Sequence, residues 1–406
     1  MEDAVNVAVL GGGAAGLAAA IAAARAGASV AVVDRMPSLG RKILATGGGR
    51  CNLTNDNLSP AAFSSTAPEL VAAVFKRSGN REIRSFFRGL GLLLCAEEGR
   101  VFPATNQAAT VVKVLELEIR RLGIAVELGF ETSTLDRRGA SFRLGAADGR
   151  RLAARAVVLA AGGKSYPALG SDGSGFELAQ RLGHRIIPPV PSAVPLLVKD
   201  KMCHALQGQK IKARTTAWVD GVKTAEAGGE LLFTAYGLSG TAVLDVSEPI
   251  SIALNRLGRK NVVLGADLIP FLSPDEIETE FSRRMKAGWP RQNLATGILP
   301  EKFGPIISRL VSNGEDLKNA AAQTLAAALK AMRFAVHGTR GWNEAEFTAG
   351  GVDASEVISP TLESMRCPRL FLAGEILDVQ GPRGGFNLAW AWASGLVAGR
   401  SAAGSR

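Results

Sequence analysis

VNVAVLGGGAAGLAAAIAAARAGASVAVVDR, residues 5–35, decides the fold. Val5, Val7, Val9 and Leu10 make the short apolar run that a strand covered on both faces requires, and the run stops at three glycines. Ala14–Ala26 is alanine-rich, with high helix propensity and Gly27 at its end, and Ser29–Val33 is a second apolar run finishing in Asp34. The stretch predicts strand, turn, helix, strand: a βαβ unit. Within it Gly11, Gly13 and Gly16 match G-x-G-x-x-G. The first glycine makes the tight turn, the second leaves bare backbone for a pyrophosphate, and the third lets the helix lie close on the strands. The helix N-terminus then offers its unpaired N–H groups to the phosphates. Asp34 ends the second strand, where a carboxylate would accept both hydroxyls of an adenosine ribose. That favours FAD or NAD over NADP.

Outward from this unit, the 406 residues allow two or three domains, and 47% hydrophobic content with 47 glycines suits a soluble α/β protein with many tight turns. Arg25 interrupts the apolar N-terminal segment, and Glu2 and Asp3 stand where a signal peptide would be basic, so a cytoplasmic location and no membrane partner are expected. Cys51, Cys95, Cys203 and Cys367 are far apart, without a C-x-x-C pair or histidines at ligand spacing, which predicts free thiols and no metal and argues against a flavin disulfide reductase. His184, His204 and His337 read as ordinary surface or core residues. The net charge of +10 could steer acidic substrates or nucleic acid, but the arginines are scattered, and a solvated basic surface is the preferred reading.

The loop PSLGRKILATGGGRCNLTN, residues 37–55, is too polar and glycine-dense for a core element. Gly47, Gly48 and Gly49 permit close approach to a flat ligand, and Arg41, Lys42 and Arg50 can supply charge to phosphates or a reduced flavin. Residues 66–91 and 108–122 read as helices, Ile124–Leu128 and Ser141–Leu144 as strands, and RAVVLAAGG (155–163) as a buried strand whose Ala161, Gly162 and Gly163 would let its end abut the dinucleotide. Four prolines in IIPPVPSAVP (186–195) mark a boundary. Beyond it, Leu196–Val198, Lys210–Val219, Leu231–Thr234, Ile250–Leu254 and Val262–Leu264 read as strands of a smaller β-rich domain, and from Ser273 to about Met332 the pattern is helical, with Leu317–Leu329 as one helix. Near the end, Leu370–Ala373 is a short strand followed by Gly374-Glu375, and Asn387–Val397 is an apolar helix whose N-terminus suits negative charge on a reduced flavin.

These motifs together, GGGAAG (11–16), GRKILATGGGRCNLTN (40–55), GRVFPATNQA (99–108), PSAVPLLV (191–198), TAGGV (348–352) and LAGEILDVQGPRGGFNLAWAWASG (372–395), resemble the bacterial BaiN-like or aminoacetone-oxidase-like NAD(P)/FAD-dependent oxidoreductases over nearly the whole chain. The resemblance implies an α/β fold: a discontinuous Rossmann-type FAD-binding domain (1–188 and 344–406) with an inserted β-barrel-like domain (189–272), a helical subdomain (273–332) and a return strand (333–343). It also implies FAD contacts at Gly11, Gly13, Gly16, Asp34, Arg35, Lys42, Gly49, Arg50, Cys51, Asn52, Ala161, Gly162, Gly374, Glu375, Asn387 and Leu388, with a backbone contact near Thr132. The sequence departs from the family at LLFTAYGLSGTAVL, where Ala235 and Tyr236 replace Thr-His. Tyr236 is the candidate proton donor, weighed against a tyrosine packed on the barrel.

The expected activity is FAD-dependent oxidoreduction, hydride passing between flavin and a small organic substrate, with NAD(P)H as a diffusible donor. The alternatives are a flavoprotein acting on RNA and a non-catalytic FAD-binding redox partner.

Overall fold

Strand β1 (Val5–Leu10) emerges from the first apolar run, and the glycines end it where helix α1 (Ala14–Arg25) begins. The computed structural model describes residues 4–307, 311–312, 315–316 and 321–404. Strands β2 (Val30–Asp34), β3 (Ala125–Leu128), β4 (Thr132–Arg138), β5 (Ser141–Ala146), β6 (Arg151–Leu159) and β7 (Leu370–Leu372) complete the main body of the sheet. Its parallel core has the order β7-β6-β1-β2-β3, with β1 in the middle. Val7, Ala8 and Val9 are fully buried, as a strand between two covered faces demands. The expected strands Ile124–Leu128 and Ser141–Leu144 are found as β3 and β5, and β4 pairs with β5 as an antiparallel excursion. β4 itself was not read as a strand, because Thr132–Arg138 is mostly polar and exposed and carries little apolar alternation.

Helix α2 (Phe386–Gly404) lies along α1. A Cβ on Gly395 would stand 2.2 Å from the Ala15 carbonyl oxygen, and one on Gly399 would stand 2.1 Å from that of Ala19. Two glycines one turn apart thus bring the helix backbones into direct contact. This explains why α1 is built almost entirely of alanine on its buried positions: larger side chains would hold the helices apart. Trp390 and Trp392 pack from α2 into the same core, Trp392 edge-on to Phe87 and Trp390 to Phe75.

The chain forms two compact units, Met1–Pro189 with Phe347–Arg406, and Val190–Glu346. In the second unit, six strands close a barrel in the order Leu196–Val198, Gly237–Ser239, Val222–Thr234, Lys210–Val219, Val262–Asp267, Met332–Thr339. Inside it Leu231, Phe233, Leu264 and Phe334 are fully buried and alternate with more exposed neighbours along their strands.

Three expectations are corrected. Ile250–Leu254 is not a strand: the helix Thr241–Ser251 continues as a π turn over Ile252–Arg256. The buried Val243, Val246, Ile250 and Ala253 recur at helical spacing, a signal hidden by the β-branched composition. Residues 66–91 form two helices, Pro68–Arg77 and Asn80–Gly89, broken at Gly79, where a Cβ would meet the Phe75 carbonyl at 2.7 Å. Of the helix expected over Leu317–Leu329, residues 317–320 lie outside the described residues, and the helix observed is Ala322–Lys330. Among the described residues no helix is long and apolar enough to cross a membrane.

Candidate functional site

The glycine cradle is shaped by backbone contacts. A Cβ on Gly11 would meet the Ala160 carbonyl oxygen at 2.3 Å, and one on Gly16 would meet that of Gly11 at 1.8 Å. Gly11 also has φ +112°, which side chains disfavour. Gly13 differs: a Cβ there has nothing within 4 Å, so its glycine leaves open space beside the first turn of α1. That turn contains no acidic residue and no side-chain cap. Its free N–H groups therefore face an opening that admits a phosphate, and the cradle fits a dinucleotide.

At the end of β2, Asp34 accepts the Gly12 N–H at 2.5 Å through one carboxylate oxygen and the Met36 N–H at 2.7 Å through the other. Burial raises its pKa above the ordinary aspartate value, and the two N–H donors pull against that shift. Arg35 is paired with Asp172 and, at 3.1 Å, with Glu131. Thr132 opens β4, in register with Ala146.

Lys42, on the short helix Arg41–Ala45, donates from Nζ to Glu375 Oε2 and to Ser165 Oγ, each at 2.7 Å. Gly40, one residue before that helix, donates its N–H to the Gly12 carbonyl, which ties the Lys42 segment to the cradle. Gly374 lies against α1 as well: with φ +79°, its added Cβ would stand 2.7 Å from the Ala15 Cβ. Glu375 Oε1 accepts the Thr348 N–H at 2.9 Å, and Thr348 Oγ1 accepts the Lys164 and Ser165 N–H groups. Lys42 and Glu375, expected as separate contacts, thus form one ion pair about a quarter exposed on each side. Ser165 and Thr348, both fully buried, complete the cluster; neither was singled out as a site residue in the sequence, although Thr348 opens the TAGGV motif, because a single hydroxyl residue carries no distinguishing signal.

Ala161 and Gly162 follow β6, and a Cβ on Gly162 (φ +77°) would stand 2.8 Å from Ser171 Oγ. Gly49 has φ +87° and open space around it. Arg50 does not point free: it pairs with Glu97 at 2.6 Å, donates to Asn106 and lies over the Phe102 ring at 4.1 Å. Cys51 is wholly buried, and burial pushes its thiol up to about 12, which makes it a packed residue and not a reactive thiolate. Asn52 is buried with its Oδ1 unpartnered. Gly385, just before α2, adjoins this oxygen: a Cβ there would sit 2.7 Å from it. Asn387 closes the preceding loop, accepting the Gly381 N–H and donating to the Gly381 carbonyl. Leu388 follows it, half-buried.

Tyr236 belongs to the second unit, at the bend between two barrel strands, about one-third exposed. The Arg340 guanidinium lies 4.7 Å from its ring centroid and is held by Glu344. His184 is a core residue: its Nε2 is 2.7 Å from Ser364 Oγ and its Nδ1 is 3.2 Å from Glu356 Oε2. Ser364 Oγ also accepts two backbone N–H groups, from Arg366 and Cys367, and is buried, so this Ser-His-Glu array braces an edge hairpin and presents no nucleophile.

A glycine cradle at the end of the central strand of a parallel sheet, closed by a C-terminal helix and interrupted by a barrel, defines the Rossmann-type FAD-dependent oxidoreductases. The HI0933-like protein Rossmann domain pattern matches residues 5–401, and the chain belongs to that family of flavoproteins. It is 38% identical over 98% of its length to the 3-dehydro-bile acid delta(4,6)-reductase of Clostridium scindens, of which it covers 99%. It is 31% identical to the ribosomal RNA dihydrouridine synthase of Haemophilus influenzae, over 95% of both chains. In fold it is similar to the solved 3-ketosteroid delta1-dehydrogenase of Sterolibacterium denitrificans, with TM-score 0.54, 13% identity and all of both chains covered.

Proposed function

We propose that this FAD-dependent oxidoreductase saturates an electron-poor carbon–carbon double bond in a small organic substrate, with NADH or NADPH as the electron donor. The observation that carries the reading is the cradle, with its open Gly13 and the unpartnered Asn52 Oδ1, in a chain matched end to end by a relative named for double-bond reduction. Gly11, Gly13, Gly16 and the first turn of α1 would hold the pyrophosphate. Asp34, Arg35 and the backbone at Thr132 would hold the adenosine half, and Lys42, Gly49, Arg50, Cys51, Asn52, Ala161, Gly162, Gly374, Glu375, Asn387 and Leu388 the flavin half. When bound, FAD supplies a two-electron carrier that takes and gives up hydride. The chain's own part is to hold the Lys42 ammonium in place through Glu375 and Ser165, so that a positioned, charge-paired N–H donor stands beside the cradle. Tyr236 is the candidate proton donor to the substrate, held from one face by Arg340.

The test is anaerobic mixing of the FAD-loaded protein with NADH and with NADPH while the visible flavin band is followed, and then addition of a conjugated 3-oxo steroid. Rapid bleaching by one donor and reoxidation by the enone support the proposal. Bleaching by dithionite alone refutes the nicotinamide donor and leaves direct substrate oxidation or a redox-partner role. A second reading, reduction of uridine in RNA, is favoured by the net charge of +10 together with the Haemophilus relative's name. Reoxidation by RNA and not by the enone would select it.

A further inference from the structure

We propose that Tyr166 is a further cofactor-contacting residue, its phenol ring lying against the flavin half of bound FAD; this rests on the cofactor placement given above. Tyr166 has φ +54° and ψ +63°, the left-handed region that favours glycine. Pro167 adds to the cost, because a proline pushes the residue before it toward extended backbone. The same loop shows what such a turn ordinarily uses: Gly162, Gly170 and Gly173 take positive φ at +77°, +109° and +91°. Glycine or asparagine at position 166 would form the turn with little strain, so a bulky aromatic side chain there needs a use for its ring.

The strained conformation is fixed from both sides. Upstream, Thr348 Oγ1 accepts the Lys164 N–H at 2.7 Å and the Ser165 N–H at 3.2 Å, while Ser165 Oγ accepts from Lys42 Nζ at 2.7 Å and donates to Glu375 Oε1 at 3.3 Å. Gly163 fits against the same cluster, where a Cβ would meet Thr348 Oγ1 at 2.4 Å. Downstream, the Tyr166 carbonyl accepts the Leu169 N–H at 2.8 Å and opens the tight turn Pro167–Leu169. Gly170 then rests on Met36, a Cβ there standing 2.9 Å from Met36 Cγ, and Asp172 pairs with Arg35. Backbone strain persists where its surroundings over-determine it, and it gathers at ligand sites.

The same anchors place the ring. The loop leaves the carboxyl end of β6, which is where open parallel sheets bind ligands. Its start is bonded to Lys42 and Glu375, assigned above to the flavin half, and its end touches Met36 and Arg35, beside Asp34 at the adenosine half. Residues 163–172 thus run along the cofactor site, and Tyr166 follows directly on Ser165, at the flavin end. Its side chain is half-buried. A phenol offers a flat apolar face to a planar ring system and a hydroxyl at its rim.

The chain has two tyrosines, Tyr166 and Tyr236, so each can be removed singly. A tyrosine touching a flavin quenches its fluorescence by giving an electron to the excited ring, and phenylalanine does not. In the FAD-loaded full chain, Tyr166→Phe should lengthen the flavin fluorescence lifetime while the apoprotein melting temperature stays as it was. Tyr166→Asn suits the left-handed backbone, so its apoprotein should melt at or above the parent temperature, yet bind FAD roughly tenfold more weakly for want of the aromatic contact. A tyrosine that only packs the loop gives the reverse, a lower melting temperature with FAD affinity kept. That reverse pattern, an unchanged lifetime in Tyr166→Phe, or a lengthened lifetime in Tyr236→Phe alone would each overturn the inference. If Asn52→Ala weakens FAD while Tyr166→Asn does not, the cradle stands and Tyr166 falls. If neither nicotinamide bleaches the flavin while Tyr166→Phe lengthens the lifetime, the donor falls and Tyr166 stands.

Discussion

Replacing Gly395 with alanine tests whether the contact between α1 and α2 is as tight as the backbone positions imply. The new Cβ would begin 2.2 Å from the Ala15 carbonyl oxygen and 3.0 Å from its carbonyl carbon, whereas ordinary contact begins near 3.4 Å. The obstacle is backbone in the first turn of the cradle helix, so no side chain can swing aside and the helices must separate by about 1 Å. Overpacking of this kind costs up to about 3 kcal/mol, while alanine gains about 1 kcal/mol of helix propensity over glycine. The net loss is about 2 kcal/mol, or roughly 4–8 °C in melting temperature for a unit of this size. Because Ala15 also touches Gly374, FAD affinity should fall together with stability. Gly404→Ala, on the same helix but with nothing within 4 Å, is the control and should hold or slightly raise the melting temperature. Thermal release of flavin fluorescence and a titration of apoprotein with FAD measure both effects. If Gly395→Ala melts at or above the parent temperature with FAD affinity intact, the close helix contact is not what sets the cradle.

Asn52→Ala should leave apoprotein stability nearly unchanged, since its buried Oδ1 has no partner to lose, yet weaken FAD binding; equal effects on both would remove Asn52 from the cofactor site. Lys42→Met should cost roughly 1–3 kcal/mol by leaving the Glu375 carboxylate without its cation, and adding Glu375→Gln should restore part of it, a coupling that a double-mutant cycle of denaturant midpoints reads directly. Burial holds His184 below the ordinary histidine pKa, so below about pH 6.5 the unfolded chain binds a proton that the folded one refuses. Stability should therefore decline as pH falls below that value, and His184→Gln should flatten the decline in melting temperature between pH 7.5 and 5.5. Iodoacetamide at pH 8 should label the partly exposed Cys95 first and spare Cys51 and Cys203, whose thiols burial pushes up to about 12; early modification of Cys51 by mass spectrometry would contradict its packed environment.

The βαβ geometry of the cradle was legible because such a unit is local: Gly11, Gly13, Gly16 and Asp34 all lie between positions 11 and 34 and obey a fixed spacing. The Lys42–Glu375 pair was not, although both residues were singled out, because the partners are 333 positions apart and only the sheet brings them together. Arg50 illustrates a different loss. Its charge was visible, but not the Glu97, Asn106 and Phe102 side chains that occupy it. Ile250–Leu254 misled because β-branched residues mimic a strand in a short window, while the helical recurrence of Val243, Val246, Ile250 and Ala253 needs a longer one. The Ser364 bracing of His184 lay beyond reach for the same reason as Lys42, at 180 positions' separation.

The glycine seam between α1 and α2 bears on how the molecule is made. Helix α1 (Ala14–Arg25) precedes the barrel in the chain, yet the surface that covers its alanines is carried beyond the barrel, at positions 395 and 399. During synthesis, α1 must wait through the emergence of the entire barrel with its apolar stripe uncovered. The barrel, whose strands lie within one continuous stretch, can close in the meantime. If FAD rests on α1 as proposed, its capture must follow the synthesis of α2, because only then are both walls of the glycine seam in place.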